Sequence, residues 1–209
     1  MGVAEETTLV VPVGKWVLEQ SCAALGKLRD GIGNGAALPF LSVNVSGQQF
    51  RDVYFLEHLQ ETAGRADVSR DRLKLEITER VLMEGAVAGD AIAKARSDGF
   101  KFALDDFGTG YSSLLAFCEV PIDDLKIDRV CVSRMAAEPA AESVARSIMQ
   151  LAQGVGAGVI AEGVESEGEA AKLMELGCRF AQGDYYARPL PFDEAVTYVQ
   201  EHGVYTDAG

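Results

Sequence analysis

Six side chains able to offer oxygen or positive charge stand at the ends of short apolar runs: Asn44 in SVNVS, Glu76 in LKLEITE, Asp105 in FALDD, Lys126 in LKID, Glu162 in AEGVE and Gln182 in AQG. Three of these runs bring a second acid, Glu79, Asp106 or Glu165. Taken singly, each has an ordinary explanation as a helix N-cap or a solvated loop residue. Together they suggest one rim, and a rim so rich in carboxylates repels itself unless cations sit among them. Carboxylates with an Asn carbonyl, and no His or Cys, are hard donors suited to Mg²⁺, Mn²⁺ or Ca²⁺ rather than zinc. Adjacent Asp105 and Asp106 would let one carboxylate bridge two ions while its neighbour binds one. That arrangement suits two-metal activation of water against a phosphoester. Lys126 could hydrogen-bond that water or balance the charge that grows in the transition state; a lysine capping a strand at the surface is the plainer account. His58 lies within a helical pattern and His202 near the C-terminus, so histidine acid–base chemistry is not expected.

The elements that must position these groups follow from periodicity. Strands are expected at Leu41–Val45, Leu73–Ile77, Phe100–Leu104, Asp124–Ile127, Gly158–Ala161 and Cys178–Gln182. Helices are expected at Lys15–Leu28, Gln48–Ala63, Met83–Asp98, Ala141–Val155, Glu167–Leu176 and Phe192–Glu201, with a shorter one at Ser112–Phe117. Arg29–Pro39 reads as a loop and Arg188–Pro191 as a turn. Uninterrupted strand–helix–strand alternation means parallel strands with helical crossovers, whose ligands sit at the carboxyl ends of the strands. The polar strand ends are spaced by 32, 29, 21, 36 and 20 residues, a mean of about 28, close to the unit of a (β/α)₈ barrel. Six units are visible, so the sheet is either open or a barrel without its opening strands. In DDFGTGYSS, Gly108 and Gly110 allow a tight turn directly behind two carboxylates, which would set their direction.

Composition narrows the class. The chain has 209 residues, 48% of them apolar, enough for one domain with a real core. Its formal charge of −13 disfavours a binder of nucleic acid polymers, which needs a basic face. No apolar run is long enough to span a membrane, and Met1–Thr8 lacks the regions of a signal peptide. Cys22, Cys118, Cys131 and Cys178 are scattered without a C-x-x-C pair, as expected of reduced thiols in a cytoplasmic protein.

SVNVSGQQF, LKLEITE, DDFGTGYSSL, LKIDRVCV, AEGVE and QGDYYARPLP, in this order and spacing, resemble the EAL domain of bacterial cyclic di-GMP phosphodiesterases, from about Ala4 to Gln200. The resemblance implies a TIM-like (β/α)₈ barrel with one antiparallel strand, and hydrolysis of cyclic di-GMP to linear pGpG with Mg²⁺ or Mn²⁺. It places Asn44, Glu76 and Asp105 on one ion, and Asp105, Asp106 and Glu162 on a second ion and the attacking water. Lys126 would contact that water, Glu79 would steady the loop after Asp106, Glu165 would support the metal and substrate side, and Gln182 would lie near water and ligand. The loop after Asp106 would also couple the metal site to a homodimer interface.

Two departures shape the expectation. The family is named for a Glu-Ala-Leu triplet at the end of an early strand, whose Glu is a ligand of the first metal. No such triplet occurs here, and AEETTLVVPVGKWVLE resembles the stretch after it. On that reading the opening strands, the signature Glu and a neighbouring Arg fall outside the sequence, and the single domain is a barrel truncated at its N-terminus with about six strands visible. Its first ion would be one carboxylate short. The second departure is Asp184, where the family more often has an aromatic or apolar residue. Hydrolysis is the leading expectation, a non-catalytic cyclic di-GMP receptor or interaction module the alternative, and an unrelated Mg²⁺ barrel enzyme the third.

Overall fold

The computed structural model describes residues 9–32, 38–83, 86–107 and 120–202. The expected helix Ser112–Phe117, Cys118, the loop after Asp106 that would join two copies, and the first eight residues lie outside this set. The described elements, in chain order, are α1 (Val10–Ile32), β1 (Leu41–Asn44), α2 (Gly47–Arg51), α3 (Phe55–Arg65), β2 (Leu73–Thr78), α4 (Glu79–Leu82), α5 (Ala86–Ser97), β3 (Lys101–Phe107), β4 (Asp124–Ile127), α6 (Arg129–Met135), α7 (Pro139–Val155), β5 (Gly158–Ala161), α8 (Glu167–Glu175), β6 (Phe180–Ala181) and α9 (Phe192–His202). The strand order is chain order, β1 to β6, and the pairings β1–β2, β3–β4, β4–β5 and β5–β6 are all parallel. This is the α/β alternation expected. Cα packing divides the chain into two compact units, one of Met1–Glu76, Glu84–Lys101 and Leu190–Gly209, the other of Ile77–Met83 and Phe102–Pro189.

In the first unit, α1 buries Leu18, Cys22, Leu25 and Leu28, a stripe repeating every three to four residues. It starts five residues earlier than expected because Pro12 sits in the first turn, where no intrahelical N–H bond is lost. At its other end it runs on to Ile32, into the segment expected as a loop. β1 and β2 pair with Leu41 opposite Leu73 and Asn44 opposite Glu76. The single helix expected over Gln48–Ala63 is two. Asp52 turns extended between them, its Oδ1 accepts from the Tyr54 N–H at 3.1 Å, and its carboxylate pairs with Lys15 at 2.8 Å. An Asp that bonds the backbone two residues on makes a turn in place of a helical repeat. The helix expected over Met83–Asp98 is α5, which starts three residues later, at Ala86; α4 precedes that range and was not expected.

In the second unit, β4 is buried along its whole length, as a parallel strand flanked on both sides should be. β3 runs three residues beyond its expected end at Leu104. Its pairing with β4 breaks register between Leu104 and Phe107, and Asp106 there takes φ 56°. This is a bulge, a device that re-aims side chains at the end of a strand. α7 closes on Gly156 in the left-handed conformation. β6 shrinks to two residues, Phe180–Ala181. α6 was not expected; Asp128 starts it by accepting the Val130 N–H at 2.8 Å.

Cys22, Cys131 and Cys178 are free thiols. Burial pushes all three up, Cys22 to about 11, so they stay protonated and unreactive at neutral pH. No described helix is long and apolar enough to cross a membrane.

Candidate active site

The site in the second unit is assembled by adjacent strand ends. Register places Lys126 beside Ile160 and Ala161 beside Ala181, so the residues just past β5 and β6 come level with the end of β4. Main-chain bonds hold them there: the Glu162 N–H donates to Ile127 O at 3.0 Å and the Gln182 N–H to Ala161 O at 2.8 Å. Lys126 is buried, at 3% exposure. Its ammonium lies 2.6 Å from Glu162 Oε1 and 3.4 Å from Asp105 Oδ1. Gln182 Nε2 donates to the same Glu162 oxygen at 2.6 Å. Asp105 Oδ1 also accepts the Asp106 N–H at 3.0 Å. Thus four expected site residues, Asp105, Lys126, Glu162 and Gln182, form one connected network.

Asp106 stands next to them in the bulge. Burial, then the charges of Asp105, Asp128 and Glu79, holds its carboxyl above the usual carboxylate range against the pull of Lys126. Glu79, first residue of α4, therefore bears on the site through its field. Glu165 turns elsewhere and pairs with Arg129 at 2.5 Å. In the first unit, Asn44 is the last residue of β1 and stands opposite Glu76 of β2, Asn44 exposed and Glu76 buried. Asp184, the departure noted above, lies 3.6 Å from exposed Arg188.

Among the described residues no three His, Cys, Asp or Glu side chains gather into a group ready to hold an ion. The charge between Asp105 and Glu162 is the Lys126 ammonium. The donor chemistry nonetheless suits a hard divalent cation. Asp105, Asp106 and Glu162 supply carboxylate oxygens only, and the negative surroundings that raise Asp106 are what a cation would relieve.

Sequence reasoning missed Arg129 and Asp128. The available signal was Asp128 directly after an apolar strand and before VCV, a helix start.

Comparison with known proteins fits this geometry. The family model described as "EAL domain" matches residues 1–189. Cyclic di-GMP phosphodiesterase PA2567 of Pseudomonas aeruginosa is 36% identical over 189 residues, 90% of this chain and 31% of that protein. Cyclic di-GMP phosphodiesterase PdeR of Escherichia coli is 37% identical over 189 residues, 90% of this chain and 28% of that protein. The chain thus spans less than a third of the length of these curated relatives. The solved structure of EAL enzyme Bd1971 in its cAMP and cyclic-di-GMP bound form matches with a TM-score of 0.91 and 35% identity, covering 95% of this chain and 54% of that one. With its sheet order, its strand-end acids and these matches in agreement, the chain belongs to the EAL domain family.

Proposed function

We propose that the protein hydrolyses cyclic di-GMP to linear pGpG with Mg²⁺ or Mn²⁺. The observation that supports this reading most is the buried Lys126, held between Asp105 and Glu162 from the two neighbouring strands. A buried ammonium flanked by acids at a strand end serves no packing purpose that an apolar residue would not serve better. It does suit a reaction that builds negative charge on phosphate oxygens.

Asp105, Asp106 and Glu162 would hold metal, and Asn44 and Glu76 are the ligands the family resemblance assigns to the first ion. When bound, the cations would offset the phosphodiester charge and lower the pKa of a water. The protein groups then have separate tasks. Lys126 contacts the attacking water and meets the negative charge growing on the phosphate oxygens. Gln182 fixes the rotation of the Glu162 carboxylate by occupying Oε1. Glu79 bears on Asp106 through its charge, and Glu165 supports the metal and substrate side. In the reaction the water oxygen bonds to phosphorus, one P–O ester bond breaks, and the departing sugar oxygen takes up a proton.

The test is product analysis of cyclic di-GMP incubated with the protein and Mn²⁺. The expected result is pGpG, with kcat lowered by about 10²–10³ in Lys126→Met, which keeps the buried volume, and KM little changed. Tight binding of cyclic di-GMP with no pGpG would overturn the hydrolase reading in favour of a receptor.

A further inference from the structure

The turn that carries Glu162 is held by a residue outside the network itself. Gly163 has φ 65°, and a Cβ placed there would collide with Cγ, Cβ and Cδ of Arg129. The Arg129 stem therefore lies directly across the Cα of Gly163. Its guanidinium then reaches two residues further and grips Glu165 Oε1 at 2.5 Å. Arg129 opens α6 immediately after the Asp128 cap, so its starting point is fixed. The segment from Glu162 to Glu165 is thus clasped from above by one side chain. Beneath, main-chain bonds run from the Glu162 N–H to Ile127 O at 3.0 Å and from the Val164 N–H to Gln182 O at 3.1 Å.

We propose that Arg129 is a positioning residue for the reaction: by straddling Gly163 and pairing with Glu165, it holds the turn at which the Glu162 carboxylate faces Lys126 and Gln182. This rests on the hydrolase reading for its catalytic consequence, though not for its structural one. With Arg129 66% and Glu165 50% exposed, the ion pair adds little to global stability. Its effect falls on local geometry, where small displacements of a reacting group are costly.

The experiment compares the wild type with Arg129→Ala and Arg129→Lys by backbone hydrogen exchange and by steady-state cleavage of cyclic di-GMP. In Arg129→Ala, exchange at the Glu162 and Val164 amides is expected to rise about tenfold. Its kcat should fall about five- to twentyfold with KM changed less than about twofold. Arg129→Lys keeps most of the stem and the charge, and is expected to recover kcat to within about threefold of wild type. Unaltered exchange in Arg129→Ala overturns the proposal, as does a lysine variant no better than the alanine one, or a loss that lies wholly in KM. If the wild type cleaves nothing while exchange responds as described, it is the hydrolase reading that fails and the clasp stands.

Discussion

Asp106 is the residue whose charge its surroundings oppose most plainly. Its carboxyl is held above the ordinary range by burial and by Asp105, Asp128 and Glu79. An acid whose folded pKa exceeds its unfolded value favours the fold when protonated. That contribution is complete below the unfolded pKa and is lost as pH climbs through the folded one. At neutral pH the ionised group therefore works against folding. Asp106→Asn removes the charge and keeps a side chain at home at φ 56°. In EDTA at pH 7 the variant should melt higher than wild type, by an amount that solvent screening at exposed Asp106 keeps small. The gain should vanish near pH 3, where the native carboxyl is itself protonated. A melting point at pH 7 equal to or below wild type would contradict this account, whatever happens to activity.

At the scale of elements, the start of α8 connects helix and site. Glu169 Oε2 accepts the N–H groups of Glu165 at 2.7 Å and Ser166 at 3.1 Å, while Ser166 Oγ accepts the Glu169 N–H at 3.3 Å. This capping box starts the helix and closes the turn behind Glu162 with the same carboxylate. Glu169→Ala should cost about 1 kcal/mol in denaturant unfolding, and Glu169→Gln, which keeps an accepting oxygen, clearly less. Equal losses in the two variants would show that the charge matters and the acceptor does not. The same scale shows what could be read in advance. Lys126, Glu162 and Gln182 were legible because each closes an apolar run whose neighbours align in parallel register. The bulge that aims Asp105 and Asp106 was not, since alternation of apolar residues carries no trace of one extra residue in a strand. The break at Asp52 was hidden because the apolar repeat continues through Phe50, Phe55 and Leu59 on both sides of it. Arg129 was passed over because a basic residue after a strand reads equally well as a solvated helix start.

For the whole molecule the dominant quantity is a formal charge of −13. Cyclic di-GMP, the proposed substrate, is itself a dianion. At low ionic strength the summed field reaches about 20–30 Å, and it contracts to about 8 Å at physiological salt. Screening should therefore help these two partners meet. At fixed Mn²⁺, raising NaCl from about 20 to 150 mM is expected to increase kcat/KM about two- to threefold, with kcat nearly constant. A fall in kcat/KM over that range would mean that local cations, Lys126 foremost, outweigh the net charge during approach.

Gly183 leads to one last consequence. A Cβ there would collide with the backbone nitrogen, carbonyl carbon and oxygen of Val164, while the Tyr185 N–H donates to that oxygen at 3.0 Å. Here two loops are welded main chain to main chain, with no side chain between them to act as a cushion. Such a seam cannot be trimmed or shimmed by ordinary substitution, and neither loop can drift without dragging its companion. Whatever motion this end of the sheet undergoes, Gln182 and Glu162 must make the journey together.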